Sequence, residues 1–417
     1  MVLLLQYQLK MEDAPILRLL DSIITEGLLS GTSDIHLEPG TEYDRIRYRI
    51  DGVLQQVQRL PMERHTALVS CVKLMAGMDI AEKRKPQDGR AQVTHENKKV
   101  DLRVSSLPTV LGEKIVIRVL DSDTSRLQLE SMDFTTNNLA LYRDMYKSSY
   151  GLVLITGPTG SGKTTSLYAT LQELNRPERN IVTVEDPVEY CMEGVNQVAV
   201  NAKTGLTFAS GLRSILRQDP NIIMIGEIRD RETAEISIQA ALTGHLVFST
   251  LHTNTAAGAV TRLLDMGIEP FLVASALRGI VAQRLVRRLC PDCKKEYTVD
   301  ESMWEWKLLQ NTIDTEKNGD ETKRQNNLTL YRPAGCEICR HSGYRGRMAV
   351  HEVLPVNTAL KDKIIRRVSE QELWEAAKAE YPGLHSLEED GMQKVKAGFT
   401  SVQELVCVLG VQHGFCD

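Results

Sequence analysis

The stretch "GPTGSGKTT" at 157–165 constrains this chain more than any other. Gly157, Gly162, Lys163 and Thr164 satisfy G-x-x-x-x-G-K-[ST], with an apolar run, "LVLIT", before them and an amphipathic one, "TSLYATLQEL", after. Strand, glycine loop and helix in that order turn successive backbone N–H groups inward on a phosphate, and the helix N-terminus adds positive potential. The candidate nucleotide-binding set is therefore Gly157, Pro158, Thr159, Gly160, Ser161, Gly162, Lys163, Thr164 and Thr165. Lys163 is expected to reach the β- and γ-phosphates of ATP, and Thr164 to help hold Mg²⁺. The bland alternative is a glycine-rich turn that binds nothing, and the flanking strand and helix speak against it.

Three further apolar runs, "IVTVE" (181–185), "IIMIG" (222–226) and "LVFST" (246–250), alternate with amphipathic segments. Strands apolar on both sides belong to a parallel sheet covered by helices, so an α/β fold is expected here. Hydrolysis needs an acid at a strand end near the phosphates, because ligands of parallel sheets bind at that edge. Glu185 and Asp186 end one run and Glu227 ends another, which makes Glu185, Glu227 and Lys163 the candidate catalytic residues. Spacing does not say which acid is the base and which assists Mg²⁺. His245 and His252 flank the last run. With no third ligand they read as γ-phosphate sensors or interface hydrogen bonds, a structural histidine being the alternative for one of them.

Upstream, from about Asp13 to Leu120, the pattern is different. "ILRLLDSIITEGLL" (16–29) has helical spacing, and "RIRYRID" (45–51) alternates Ile46, Tyr48 and Ile50 against Arg45, Arg47 and Arg49. "ALVSCVKLMAGM" reads as a helix, and "KKVDLRVSSLP" and "GEKIVIRVL" as strands, giving an α+β module. A length of 417 residues suits two or three domains. Fifty basic against fifty-five acidic side chains leave a net charge of −5, which argues against nucleic acid as a partner. No apolar run approaches the roughly 20 residues of a membrane span, and "MVLLLQYQLK" lacks a basic start and a cleavage site, so a cytoplasmic chain is expected.

Reduced thiols follow from that compartment. Cys71, Cys191, Cys407 and Cys416 stand alone, but Cys290 with Cys293 and Cys336 with Cys339 form two C-x₂-C pairs. Two such knuckles close the tetrahedral shell of a structural Zn²⁺; a redox couple would use one pair and leave the other unexplained. The polar segment "DTEKNGDETKRQNN" (314–327) between them reads as a loop. In "RLVRRLCPDCKK", Arg284, Arg287 and Arg288 share one face if the segment is helical. Such a face meets anionic lipid or an acidic partner, or is an ordinary solvated or inter-subunit surface.

Together, "GPTGSGKTT", "VEDPVEY", "RQDPNIIMIGEIRD" and "GHLVFSTLHTN" resemble the four nucleotide-site boxes of the secretion ATPase superfamily. More narrowly, they look like those of type II secretion and type IV pilus assembly ATPases. The likeness extends through "SDIHLEP", "QDGR" (87–90), "DLRVSSLPT" and "GEKIVIRVL" upstream. Downstream it covers "AQRLVRRLCPDC", "CEICRHSGYRGRMAVHEVL" and "EDGMQKVKAGFTSVQEL". The resemblance implies an N-terminal α+β, PAS-like domain (1–120), a linker (121–138) and a RecA-like P-loop ATPase domain (139–289). A tetracysteine zinc subdomain (290–350) and a C-terminal helical region (351–417) follow.

It also implies a homo-hexameric, Mg²⁺-dependent ATPase motor, peripheral on the inner face of the cytoplasmic membrane, with ATP held between the N-terminal and RecA-like domains. An inner-membrane platform protein is the expected partner, and assembly of a pseudopilus or pilus the expected output. Arg90, Arg103 and Arg118 map onto the family's N-domain phosphate contacts, and Asp186, His245 and His252 onto γ-phosphate and Mg²⁺ sensing. Arg229 and Arg231 either do similar work from a neighbouring subunit or are helix-start charges. Assembly and secretion motors of this kind carry the tetracysteine insertion, whereas retraction motors generally lack it. Many members have a further N-terminal docking domain, while here the α+β module begins almost at residue 1: either that docking mode is absent, or the chain is a short form or a truncated one. The rival readings are a retraction or DNA-transfer motor of the same superfamily and a nucleotide-gated scaffold without turnover.

Overall fold

The computed structural model describes residues 14–96, 98–120, 127–306, 308 and 328–410. The opening "MVLLLQYQLK", residues 121–126 of the expected linker, the segment 314–327 and Cys416 lie outside the described residues. The chain divides into two compact units, residues 1–124 and 125–417.

In the first unit α1 (Ala14–Leu29) precedes β1 (Asp34–Glu38), β2 (Tyr43–Ile50) and β3 (Val53–Pro61). Helix α2 (His65–Met75) leads into β4 (Gln87–His95), β5 (Lys98–Thr109) and β6 (Gly112–Leu120). The six strands form one antiparallel sheet in the order β3-β2-β1-β6-β5-β4. Its period-two patterning decides its two faces. Ile35, Leu37, Ile46, Tyr48, Leu102, Val104, Ile115 and Ile117 are buried with Leu20 and Ile23 of α1 and Leu68 and Val72 of α2. The Tyr48 hydroxyl, inside this core, donates to the Ile23 carbonyl at 2.7 Å. On the other face, register aligns Arg49, Asp34, Arg118, Arg103 and Arg90 as one cross-strand row through β2, β1, β6, β5 and β4.

The second unit opens with α3 (Thr136–Lys147), β7 (Gly151–Thr156), α4 (Lys163–Leu174), β8 (Ile181–Glu185) and β9 (Val195–Ala199). It continues through α5 (Phe208–Ile215), β10 (Ile222–Ile225), α6 (Arg231–Leu242), β11 (Leu246–Leu251), α7 (Ala256–Asp265) and α8 (Pro270–Ala276). The long strand β12 (Leu277–Leu289), a hairpin of β13 (Lys295–Val299) and β14 (Leu328–Arg332), and β15 (Tyr344–Pro355) come next. Four helices follow: α9 (Thr358–Ile365), α10 (Glu370–Glu380), α11 (Leu387–Lys396) and α12 (Val402–Leu409). The main sheet runs β15-β12-β7-β11-β10-β8-β9, parallel except where β15 pairs with β12. Leu152 and Leu154 of β7 enter one apolar cluster and Val153 and Ile155 the opposite one. Both faces of the strand are therefore covered, which is why it reads as a continuous apolar run.

Three expectations are corrected. Residues 282–289 are strand, so Arg284, Arg287 and Arg288 do not form a helical basic face. Arg284 is buried, Arg287 pairs with Glu404 and lies over the Tyr344 ring, and Arg288 pairs with Asp133. Residues 127–138 are packed rather than linking: Leu127 and Leu129 are buried, and Phe134 stacks on Tyr142 and His351 at 5.4 and 3.7 Å. The boundary at 350 falls inside β15, an integral strand of the main sheet, so the cysteine-bearing excursion lies between β12 and β15. Among the described residues no helix is long and apolar enough to cross a membrane.

Candidate phosphate site and metal centre

Strand β7 ends at Thr156 and α4 begins at Lys163, leaving 157–162 as the loop. Gly157, Gly160 and Gly162 have φ of +152°, +80° and +86°, a backbone that L side chains rarely adopt. A Cβ at Gly157 would stand 2.4 Å from the Gln283 carbonyl oxygen, and one at Gly162 would stand 2.8 Å from Gln283 Nε2. Strand β12 thus presses on the loop from behind, and the Ser166 hydroxyl locks α4 to it by donating to Gln283 Oε1 at 2.8 Å. Pro158, Thr159, Gly160, Thr164 and Thr165 face solvent, whereas Ser161 is buried and its hydroxyl has no hydrogen-bond partner among the described residues. A concave loop with one unsatisfied buried hydroxyl fits an anionic oxygen ligand.

Lys163 folds back over this loop, donating to the Gly157 and Pro158 carbonyls at 2.7 and 3.0 Å. Burial lowers its pKa to about 8; Glu227 opposes the shift and Arg284 adds to it. Two acids separate at the same sheet edge. Glu185 is 3% exposed and accepts from Tyr168, from Thr183 Oγ1 at 2.6 Å and from Gln197 Nε2 at 3.1 Å. The Glu227 side chain is 17% exposed, paired with Arg229 and 3.3 Å from His252 Nε2. Burial pushes the Glu227 carboxyl up, but Arg229 and His252 outweigh it, so it lies below the usual carboxylate range. Glu227, Arg229, His252 and Lys163 therefore form one charged cluster, with Asp186 close enough to Arg229 to raise its pKa further.

Other expected residues are placed elsewhere. His245 immediately precedes β11, at the end of that strand opposite to the loop, its Nδ1 3.0 Å from the Ala240 carbonyl. Six strand residues put it about 20 Å from the loop, which overturns its assignment as a phosphate sensor within this chain. Arg231 donates to Glu235 at 2.7 Å along its own helix, the arrangement of a helix-start charge. Arg90, Arg103 and Arg118 lie in the first unit as neighbours in the cross-strand row, with Arg118 Nε 3.0 Å from Asp34 Oδ1. Tyr168 and Gln197 were missed from the sequence, and Gln283 and Arg284, though they lie in "AQRLVRRLCPDC", were given no part in the phosphate site, because their partners there stand more than 25 residues away.

The four cysteines converge. Their sulfurs all lie within 4.8 Å of one another, with Cys290–Cys336, Cys293–Cys339 and Cys336–Cys339 at 3.9, 3.8 and 3.7 Å. A disulfide needs about 2.05 Å, whereas four sulfurs about 2.3 Å from a central Zn²⁺ stand about 3.8 Å apart. The donor set fits tetrahedral zinc and leaves no open position. Burial pushes the Cys339 thiol up, but the amides of Cys336 and Gly343, 3.2 Å from its sulfur, outweigh this and bring it down to about 6. The thiolate a metal requires is thus favoured at this position.

The model of the type II/IV secretion system protein family matches residues 10–407. The chain belongs to that family. It is 50% identical over 397 residues to the type II secretion system ATPase E of Vibrio cholerae, covering 95% of this chain and 76% of that protein. It is 48% identical over 396 residues to the type IV pilus assembly ATPase PilB of Myxococcus xanthus, covering 95% and 68%. The solved pilus retraction motor PilT with bound ADP aligns over 92% of this chain and 94% of its own, at TM-score 0.61 and 24% identity. The Legionella pneumophila ATPase DotB aligns over 93% and 94%, at TM-score 0.66 and 21% identity. These two share the fold. For a member of the secretion ATPase family, burial of Lys163 has a measurable consequence. Free Lys163 loses its proton through about pH 8, while bound phosphates would keep it charged. Nucleotide binding above that pH should therefore take up a proton, and affinity should fall as pH rises. Calorimetry at pH 8.5 in two buffers of different ionisation enthalpy should register that uptake, and none at pH 6.5.

Proposed function

We propose that this chain is a Mg²⁺-dependent ATPase that, as a homo-hexameric ring on the cytoplasmic face of the membrane, drives assembly of a type II secretion pseudopilus or a type IV pilus. The single observation that carries the reading is the cluster of Lys163, Glu227, Arg229 and His252 beside the glycine loop, in a chain half identical to a secretion ATPase. The loop amides and Lys163 bind the β- and γ-phosphates, Thr164 helps hold Mg²⁺, and Glu227 orients and deprotonates the attacking water. Arg229 and His252 set the position of the Glu227 carboxylate, while Glu185 stays fixed by its three donors. Zn²⁺ on the four cysteines is structural. The force receiver is an inner-membrane platform protein.

Arg90, Arg103 and Arg118 neutralise charge on the γ-phosphoryl group. Well-placed arginines contribute about 10³–10⁵ in rate. Arg90→Ala and Arg118→Ala should therefore each lower the turnover number at saturating MgATP by at least about 10²-fold. Phosphate release by the full chain checks this, and full turnover in both variants would remove these arginines from the site.

A further inference from the structure

Strand β12 runs directly behind the glycine loop, and its residues 283 and 284 point to opposite sides. Gln283 holds Ser166 and crowds Gly157 and Gly162. Arg284 goes the other way and is buried, a position arginine seldom takes without a partner. Its guanidinium donates to the Gln283 carbonyl at 3.0 Å and to both the backbone carbonyl and Oδ1 of Asn254, each at 3.0 Å. Asn254 lies in the loop after β11, two residues beyond His252, whose Nε2 is 3.3 Å from Glu227. We propose that Arg284 is a positioning residue of the phosphate site: by clamping Asn254 from β12 it fixes the loop that aims His252 at Glu227.

The inference rests on the reading of this cluster as an ATP-hydrolysing site. The planar guanidinium reaches Gln283 through Nη1 and Asn254 through the two N–H groups of Nη2, and so fixes one orientation, which the single rotating nitrogen of a lysine ammonium does not impose. Charge separates from geometry at this position. Arg284 also bears electrostatically on Lys163, with an effect opposite to that of Glu227, while Glu352 is the acid that bears on Arg284. Removing the Arg284 charge lets Lys163 keep its proton to higher pH; keeping the charge without the fork leaves that limb where it is.

The test is steady-state MgATP hydrolysis by the full chain between pH 7 and 9.5, with thermal unfolding of each protein. Arg284→Lys should lower kcat at least about tenfold with KM within about threefold of wild type, because a misplaced loop spoils orientation rather than binding. Asn254→Ala, at an exposed position that tolerates substitution, should lower kcat in the same direction. Arg284→Gln should lower kcat likewise and, relative to Arg284→Lys, move the alkaline rise in KM to higher pH. A merely structural arginine would lower the melting temperature and leave kcat of the folded protein and the alkaline limb unmoved. Wild-type kcat in both Arg284→Lys and Asn254→Ala would overturn the proposal, and if Arg284→Lys does not fold, Asn254→Ala decides alone. Equal rates for wild type and Lys163→Ala would instead overturn the reading of the site as a hydrolytic one.

Discussion

Replacing Lys163 with alanine is expected to cut MgATP turnover by at least about 10²–10³-fold, the loss typical of removing one preorganised donor from developing negative charge. The ammonium is buried and held by two loop carbonyls, so it is already at the place where phosphate charge would arrive. Alanine suits the first turn of α4 by propensity, and the loop keeps its packing against Gln283 and the Ser166–Gln283 hydrogen bond. The variant should therefore fold, with thermal unfolding close to wild type, and bind MgATP weakly. Colorimetric phosphate release checks the rate and calorimetry the binding. A folded Lys163→Ala protein with undiminished turnover would move the chemistry away from this loop.

The second large effect is expected at the cysteines. Cys339→Ser should abolish stoichiometric zinc, because serine offers no thiolate and three sulfurs leave the shell open. Structural zinc contributes on the order of 10–16 kcal/mol, apparent, in small peptides, so the excursion between β12 and β15 should lose its order without it. The damage should extend to the C-terminal helices. Leu289 N donates to the Phe399 carbonyl at 2.8 Å, Lys294 Nζ to the Gly398 carbonyl at 2.9 Å, and the Tyr344 and Ser401 hydroxyls meet at 2.7 Å. The main sheet should persist, since β12 keeps β7 and β15 as partners. Metal analysis with limited proteolysis checks both parts, cleavage being expected within 290–343. A serine variant that keeps one zinc per chain and resists protease would contradict the assignment.

Much of this architecture was legible because its signals are local. The four apolar runs are short and continuous because both faces of β7, β8, β10 and β11 are covered, and the first unit alternates because its sheet is half covered. The glycine loop and each cysteine pair were legible for the same reason: each is a set of residues close in sequence whose chemistry demands that spacing. Strand β12 was misread because Ala282, Leu285, Val286 and Leu289 fall at helical spacing and its arginines imitate a solvated face. Partners distant in sequence bury and neutralise those arginines instead: Asn254 and the Glu352 charge for Arg284, Glu404 for Arg287 and Asp133 for Arg288. The same kind of distance hid Gln283, which is 117 residues from Ser166. His245 and His252 looked equivalent, seven residues apart, until the strand between them put one at each end of the sheet.

Glu227 offers the most direct measurement. In a Glu227→Gln full chain assayed beside wild type for MgATP binding and phosphate release under the same conditions, the amide keeps the shape and one accepting oxygen, which Arg229 can still use, but cannot take the water's proton. It should bind MgATP within about threefold of wild type while hydrolysing it at under about 1% of the wild-type rate, as expected for loss of a general base worth 10²–10⁴-fold. Wild-type hydrolysis by Glu227→Gln, or the absence of MgATP binding by the unaltered chain, would contradict the account.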